Sequence, residues 1–138
     1  MARLTALADT SGIIALLDRS DRHHQSVVQV FKQYSLIVPS TTLPEIDYLA
    51  SKYLGEPSAR AFFKDLTDGY YTYQTVEIQD IQYALQIMNQ YQGVPLGIVD
   101  ASIIAIAEHY QISRILTLDR RHFSLIQPKR IPYLELLP

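Results

Sequence analysis

Apolar positions recur along this chain in two periods, short apolar or β-branched runs alternating with longer stretches that carry a helical stripe. Leu4 to Ala8 reads as a first strand and leads through Asp9-Thr10-Ser11-Gly12 into an apolar helix, Ile13 to Leu17. Asp21 is placed to cap the next helix, in which Val27, Val30, Phe31 and Tyr34 share one face. A second strand, Leu36 to Val38, stops at Pro39. Ser40 to Glu45 then starts a helix with Ile46, Leu49, Ala50 and Tyr53 on its inner side. Beyond Gly55 and Pro57 another helix buries Ala59, Phe62, Phe63 and Leu66, and Gly69 ends it. Tyr70 to Val76 suggests a third strand; Asp80 caps a helix with Ile81, Ala84, Leu85, Met88 and Tyr91 inward. From Gly97 to Ala107 the chain is apolar nearly all round, the pattern of a helix buried in a core. Arg114 to Leu118 is a fourth strand ending on Asp119, followed by a short helix, Arg120 to Ile126, and a last strand, Ile131 to Leu136.

Strands separated by helices imply parallel βαβ units, so the expected class is α/β, a central mostly parallel sheet with helices on both faces. At 138 residues, without repeat, low-complexity run or linker, the chain is read as one domain, 1–138. It has no cysteine, which removes thiol catalysis, zinc ribbons and a disulfide framework. The opening run breaks at Asp9, too early for a signal-peptide core, and no apolar run reaches the length of a membrane span. A soluble, cytoplasmic protein is expected. A net charge of −2 argues against holding nucleic acid by bulk positive charge, while leaving room for a local basic rim.

Four acids stand where this topology points at one edge of the sheet: Asp9 after strand one, Glu45 after strand two, Asp100 at the start of the buried helix and Asp119 after strand four. Each has a plainer role available. Asp9 can hold the turn before Gly12, Asp100 can be an N-cap, Thr42-x-x-Glu45 fits a capping box, and Asp119 can cap the short helix. Together they carry a cost: carboxylates about 5 Å apart at an effective dielectric near 20 repel by roughly 3 kcal/mol per pair. A cluster of that kind is protonated, splayed or neutralised by cations, and an all-oxygen donor set suits Mg²⁺ or Mn²⁺. Such ions promote in-line displacement at phosphodiesters. The hydroxyls of Ser11 and Thr117 lie beside these acids in sequence and could fix a carboxylate or a water, the alternative being a turn serine and an ordinary strand threonine.

Taken together, Asp9-Thr10-Ser11-Gly12, Leu43-Pro44-Glu45-Ile46, Leu96 to Ala101 and Thr117-Leu118-Asp119 followed by Phe123 resemble the PIN-domain ribonucleases, and among them the VapC-type toxins of prokaryotic toxin–antitoxin pairs. The resemblance spans essentially the whole chain. It implies a three-layer α/β/α fold, Mg²⁺- or Mn²⁺-dependent cleavage of RNA, a homodimer, and a small antitoxin protein that covers the acidic site. It assigns Asp9, Glu45, Asp100 and Asp119 to the metal-ligand positions, with Thr117 and Ser11 in supporting roles. One feature departs: where many members carry a further acid before the Phe, this chain has Arg120-Arg121-His122, which puts a second metal ion in question.

Arg120, Arg121, Lys129 and Arg130 are candidates for gripping RNA phosphates or for plain solvated surface. His23, His24 and His109 read as surface residues. Of the ten tyrosines, Tyr48, Tyr53, Tyr70, Tyr71 and Tyr73 read mostly as packing, with any exposed subset suited to a protein interface. Two rival classes remain: a Mg²⁺-binding receiver-like signalling domain, which would place paired acids after strand one and a late Lys-Pro where this chain has Pro128-Lys129, and a non-catalytic PIN fold used for RNA binding or scaffolding. An aspartic protease is excluded by the extra residue in Asp9-Thr10-Ser11-Gly12 and by the helical content.

Overall fold

Among the described residues, five parallel strands form the central sheet in the order β3-β2-β1-β4-β5. They are β1 (Leu4–Ala8), β2 (Tyr34–Pro39), β3 (Thr72–Gln74), β4 (Arg114–Leu116) and β5 (Glu135–Leu137). The computed structural model describes residues 3–138. Alternation along the strands sorts their side chains between two cores. Leu7, Ile37 and Ile115 point to one face, while Ala6, Ala8, Leu36, Val38 and Leu116 point to the other. The register is consistent with this sorting, since Leu7 sits opposite both Ile37 and Ile115, and Ala8 opposite Leu116.

The first face is covered by α5 (Ile78–Gln90) and α6 (Ile98–Tyr110), together with Phe123 of the short α7 (Arg120–Phe123). Every residue of α6 from Ala101 to Glu108 is buried, as expected for a helix apolar on all sides. The second face is covered by α1 (Thr10–Leu17), α2 (His24–Gln33), α3 (Leu43–Leu54) and α4 (Glu56–Thr67), through Ile13, Val27, Val30, Ile46 and Phe62. Among the described residues no helix is long and apolar enough to cross a membrane.

The turn from β1 into α1 is unusually close to β4. A Cβ on Gly12 would lie 2.7 Å from Leu116 Cγ and 2.9 Å from the Leu116 carbonyl oxygen. Because one of those atoms is backbone, only glycine fits there. The Asp9 N–H donates to the Leu116 carbonyl at 3.0 Å, extending the pairing past the end of β1. Strand order reverses about β1, whose neighbours are β2 and β4, so the crevice beyond the carboxyl ends of β1 and β4 is the expected ligand position. This order also differs from the 2-1-3-4-5 arrangement of receiver-type folds.

Several local expectations shift. Asp21 does not cap α2: the helix starts three residues later with His23 at its N-cap, and Asp21 accepts from the His23 N–H at 2.7 Å. Tyr34 leaves α2 to begin β2. In α5 the N-cap is Glu77, and Asp80 reaches back to its N–H. The buried stripe of α5 accordingly runs through Asp80, Ala84 and Ile87, leaving Ile81 and Leu85 exposed. Tyr48, Tyr53, Tyr70 and Tyr73 are exposed as well, whereas Tyr71 packs against Phe31 and Phe62. None of the three histidines read as surface is free of contacts. His23 accepts from Arg22 Nε, His24 donates to the Ala15 carbonyl, and His109 pairs with buried Asp80 at 3.0 Å.

Candidate active site

Asp9, Glu45, Asp100 and Asp119 line one cleft of about 310 Å³, whose remaining wall is Thr10, Ser11 and Gly97 to Val99. The turn leading into α3, which bears Glu45, is tied to α6, which bears Asp100. Thr41, in the 3-10 turn Ser40–Thr42, shares a 2.7 Å hydrogen bond with Ser102 of α6, and Ser102 in turn donates to the Val99 carbonyl.

Asp9 is the most constrained of the four. It is buried, and it accepts from the Gly12 N–H at 2.8 Å and the Ser11 hydroxyl at 2.7 Å through Oδ1, while Thr117 donates to Oδ2. Ser11 accepts from the Leu118 N–H at 2.9 Å, and Thr117 accepts from the Asp119 N–H at 3.0 Å. The two hydroxyls thus join the ends of β1 and β4, holding Asp9 and the Asp119 backbone in one network. Burial nevertheless pushes the Asp9 carboxyl up to about 6; the hydrogen bonds from Thr117, Ser11 and Gly12 oppose this, and the charge of Asp100 adds to it.

Asp9 does perform its plainer role, capping α1 through Gly12. The other three do not. Thr42 turns its hydroxyl to the Pro39 carbonyl at 2.8 Å, so no capping box forms and Glu45 is left exposed. Gly97, not Asp100, is the N-cap of α6, which puts Asp100 in the first turn, where the helix dipole favours a negative charge. Asp119 stands at the N-cap of α7 without making a side-chain cap. Three carboxylates are therefore free of capping work at the mouth of one cleft.

The Asp100 carboxyl is raised above its ordinary value, first by burial and further by the charges of Asp119 and Glu45; His122, whose Nδ1 lies 3.5 Å from Oδ2, opposes the shift. Among the described residues no three Asp, Glu or His side chains already converge as a finished coordination shell. Mutual repulsion keeps uncompensated carboxylates apart. The donor set still fits a hard divalent cation, because all four acids offer oxygen and the cleft has room for the waters that such an ion retains.

The basic residues divide. Arg121 pairs with Asp119 at 3.3 Å on the rim, and Arg120 donates to the Pro138 carbonyl at 2.6 Å. Lys129 and Arg130 are elsewhere: their N–H groups bind Glu108, eight residues or about 12 Å along α6 from Asp100, and Arg130 stacks on Tyr83. Two features escaped the sequence reading. Glu108 was not singled out, and His122 was noted only as standing where a further acid was expected, yet its Nδ1 lies 3.5 Å from Asp100 Oδ2. The spacing Asp119-x-x-His122 was a visible signal for placement near the acids, but its partner comes from a distant helix.

The sheet order and the cleft define a small α/β protein with an acidic, all-oxygen site at the carboxyl edge of its sheet. Residues 6–127 match the PIN domain family, and the chain belongs to it. Ribonuclease VapC26 of Mycobacterium tuberculosis is 32% identical over 124 residues, covering 88% of this chain and 92% of that protein. The crystal structure of Mycobacterium tuberculosis VapC20, a sarcin-ricin loop cleaving toxin, aligns with a TM-score of 0.82 at 17% identity, over 96% of this chain and 99% of that one. DNA-bound VapBC from Salmonella typhimurium aligns with a TM-score of 0.71 at 22% identity, over 96% and 98%. At these identities the likeness to the two structures concerns the fold.

Proposed function

We propose that this chain, as a single domain over residues 1–138, is a metal-dependent endoribonuclease that hydrolyses RNA phosphodiester bonds in the acidic cleft. The carrying observation is that Asp9, Glu45, Asp100 and Asp119 face one cavity while three of them do no capping work. Asp9, Glu45, Asp100 and Asp119 are the residues that would hold Mg²⁺ or Mn²⁺. When bound, such an ion supplies Lewis-acid polarisation of a phosphate oxygen and a more acidic water. Within the chain, Ser11 and Thr117 fix the orientation of Asp9. Arg121, at the rim beside Asp119, is the side chain best positioned to meet an entering phosphate.

The 32% identity to a ribonuclease over nearly the full length supports the activity, and two neighbouring structures, from Klebsiella pneumoniae and Salmonella typhimurium, are complexes of a toxin with its antitoxin or of VapBC. We accordingly read the protein as the toxin of a toxin–antitoxin pair, cytoplasmic, homodimeric and inhibited by a small antitoxin that covers the cleft. Exposed Tyr48, Tyr53 and Tyr73 offer aromatic surface of the kind such interfaces use. The test is cleavage of end-labelled structured RNA by purified protein with Mn²⁺, beside EDTA and Asp100→Asn. Cutting that requires both ion and carboxylate is expected. Cutting that survives Asp100→Asn, or a protein that binds no Mn²⁺, overturns the assignment.

A further inference from the structure

Behind the acidic cleft, and not part of its lining, stands His122. Its ring is 20% exposed, and its Nδ1 is buried without a hydrogen-bond partner, 3.5 Å from Asp100 Oδ2. Buried polar nitrogens are nearly always partnered, so one left just short of a carboxylate calls for a reason. The ring is not loosely held: the next residue, Phe123, is buried in the core shared by α5 and α6, which pins α7 against the helix that bears Asp100.

Asp100 meets this ring on one side and other acids on the other. Asp9, Asp119 and Glu45 all act on it or are acted on by it as like charges, whereas His122 and the N-terminal end of α6 favour its ionised form. A carboxylate in that setting needs a donor from outside the cleft to hold its plane. Ligating carboxylates are ordinarily steadied in this way, and loss of such an outer partner typically lowers metal affinity 10–100-fold.

We propose that His122 is a positioning residue for Asp100: the ring, with a proton on Nδ1, steadies the carboxylate from outside the cleft and thereby sets the affinity of the site for a divalent cation. The inference rests on the reading of the cleft as a metal site. The ring's absence from the cleft wall argues against direct ligation and against contact with RNA.

The experiment is Mn²⁺ titration, followed by electron paramagnetic resonance of the free ion, on wild type, His122→Ala, His122→Asn and His122→Gln, each checked by thermal unfolding. Asparagine places an amide N–H near the position of Nδ1; glutamine carries it farther out. Expected is a loss of roughly tenfold in affinity for alanine and glutamine, with asparagine restoring most of it. Alanine binding as tightly as wild type overturns the proposal, as does asparagine binding as weakly as alanine while both melt like wild type. Wild type that binds no Mn²⁺ overturns the metal reading itself, and is distinguished by needing no variant. A second measurement avoids substitution: nitrogen NMR of the wild-type ring is expected to show the proton on Nδ1 and a shift when Mg²⁺ is added. A proton on Nε2 with no response to Mg²⁺ counts against the proposal.

Discussion

Burial lifts the Asp9 carboxyl to about 6 from an ordinary 3.8, so its ionised form is less favoured in the fold than in the unfolded chain. The sign of the consequence follows from linkage: the folded state holds the proton more tightly, and stability is lost as pH rises from about 4 through about 6. At neutral pH the penalty approaches about 3 kcal/mol. Asn at this position keeps an acceptor for the Gly12 N–H and Ser11 hydroxyl and carries no charge. Asp9→Asn is therefore expected to be more stable than wild type by up to about 3 kcal/mol at pH 8 in EDTA, the difference closing below pH 4. Urea unfolding across that range checks it. A difference that does not change with pH would show that Asp9 is not the group responsible. Divalent ion should narrow the gap by stabilising wild type alone, because only the carboxylate gains a cation.

At the level of elements, α6 serves two ends for different purposes. Its first turn presents Asp100 to the cleft, whereas near its last turn Glu108, also buried, accepts from the Tyr83 hydroxyl at 2.6 Å, from the Lys129 N–H, and from the Arg130 N–H at 2.7 Å. Glu108→Ala leaves three donors without an acceptor and is expected to lower stability by about 3 kcal/mol or more. Mn²⁺ affinity and RNA cleavage, measured at a temperature where the variant is folded, should be unchanged. A fall in cleavage at unchanged stability would tie the two ends of the helix together. The same helix marks what could be read from sequence. Its burial was legible because Gly97 to Ala107 offers no polar face, and the four acids were legible because strand ends and helix starts fix where they point. The roles of Glu108 and His122 were not, since a lone acid or imidazole takes its meaning from partners on other elements. For α5 the periodicity misled: Asp80 turns inward to meet His109, and that one polar contact rotates the apolar stripe away from Ile81 and Leu85.

For the molecule as a whole, charge limits how RNA can be held. The chain carries a net charge of −2, and the cations closest to the cleft are few. Arg121 is exposed on the rim, Arg120 is engaged with the Pro138 carbonyl, and Lys129 and Arg130 are drawn to the far half of α6 by Glu108. Release of counterions from RNA scales with the number of phosphates neutralised, at about 0.7 per phosphate for single strands. Binding of single-stranded RNA to Asp100→Asn in EDTA should consequently depend weakly on KCl, with a logarithmic slope between about −0.7 and −1.4, one or two phosphates. Adding Arg121→Ala should flatten it by about 0.7. A slope equivalent to five or more phosphates would require a basic surface that this arrangement of side chains does not provide on one chain, and would point to a binding face completed by a second subunit. With so shallow a slope, selectivity for a target would have to come from RNA shape at the cleft and from the divalent ion rather than from bulk attraction.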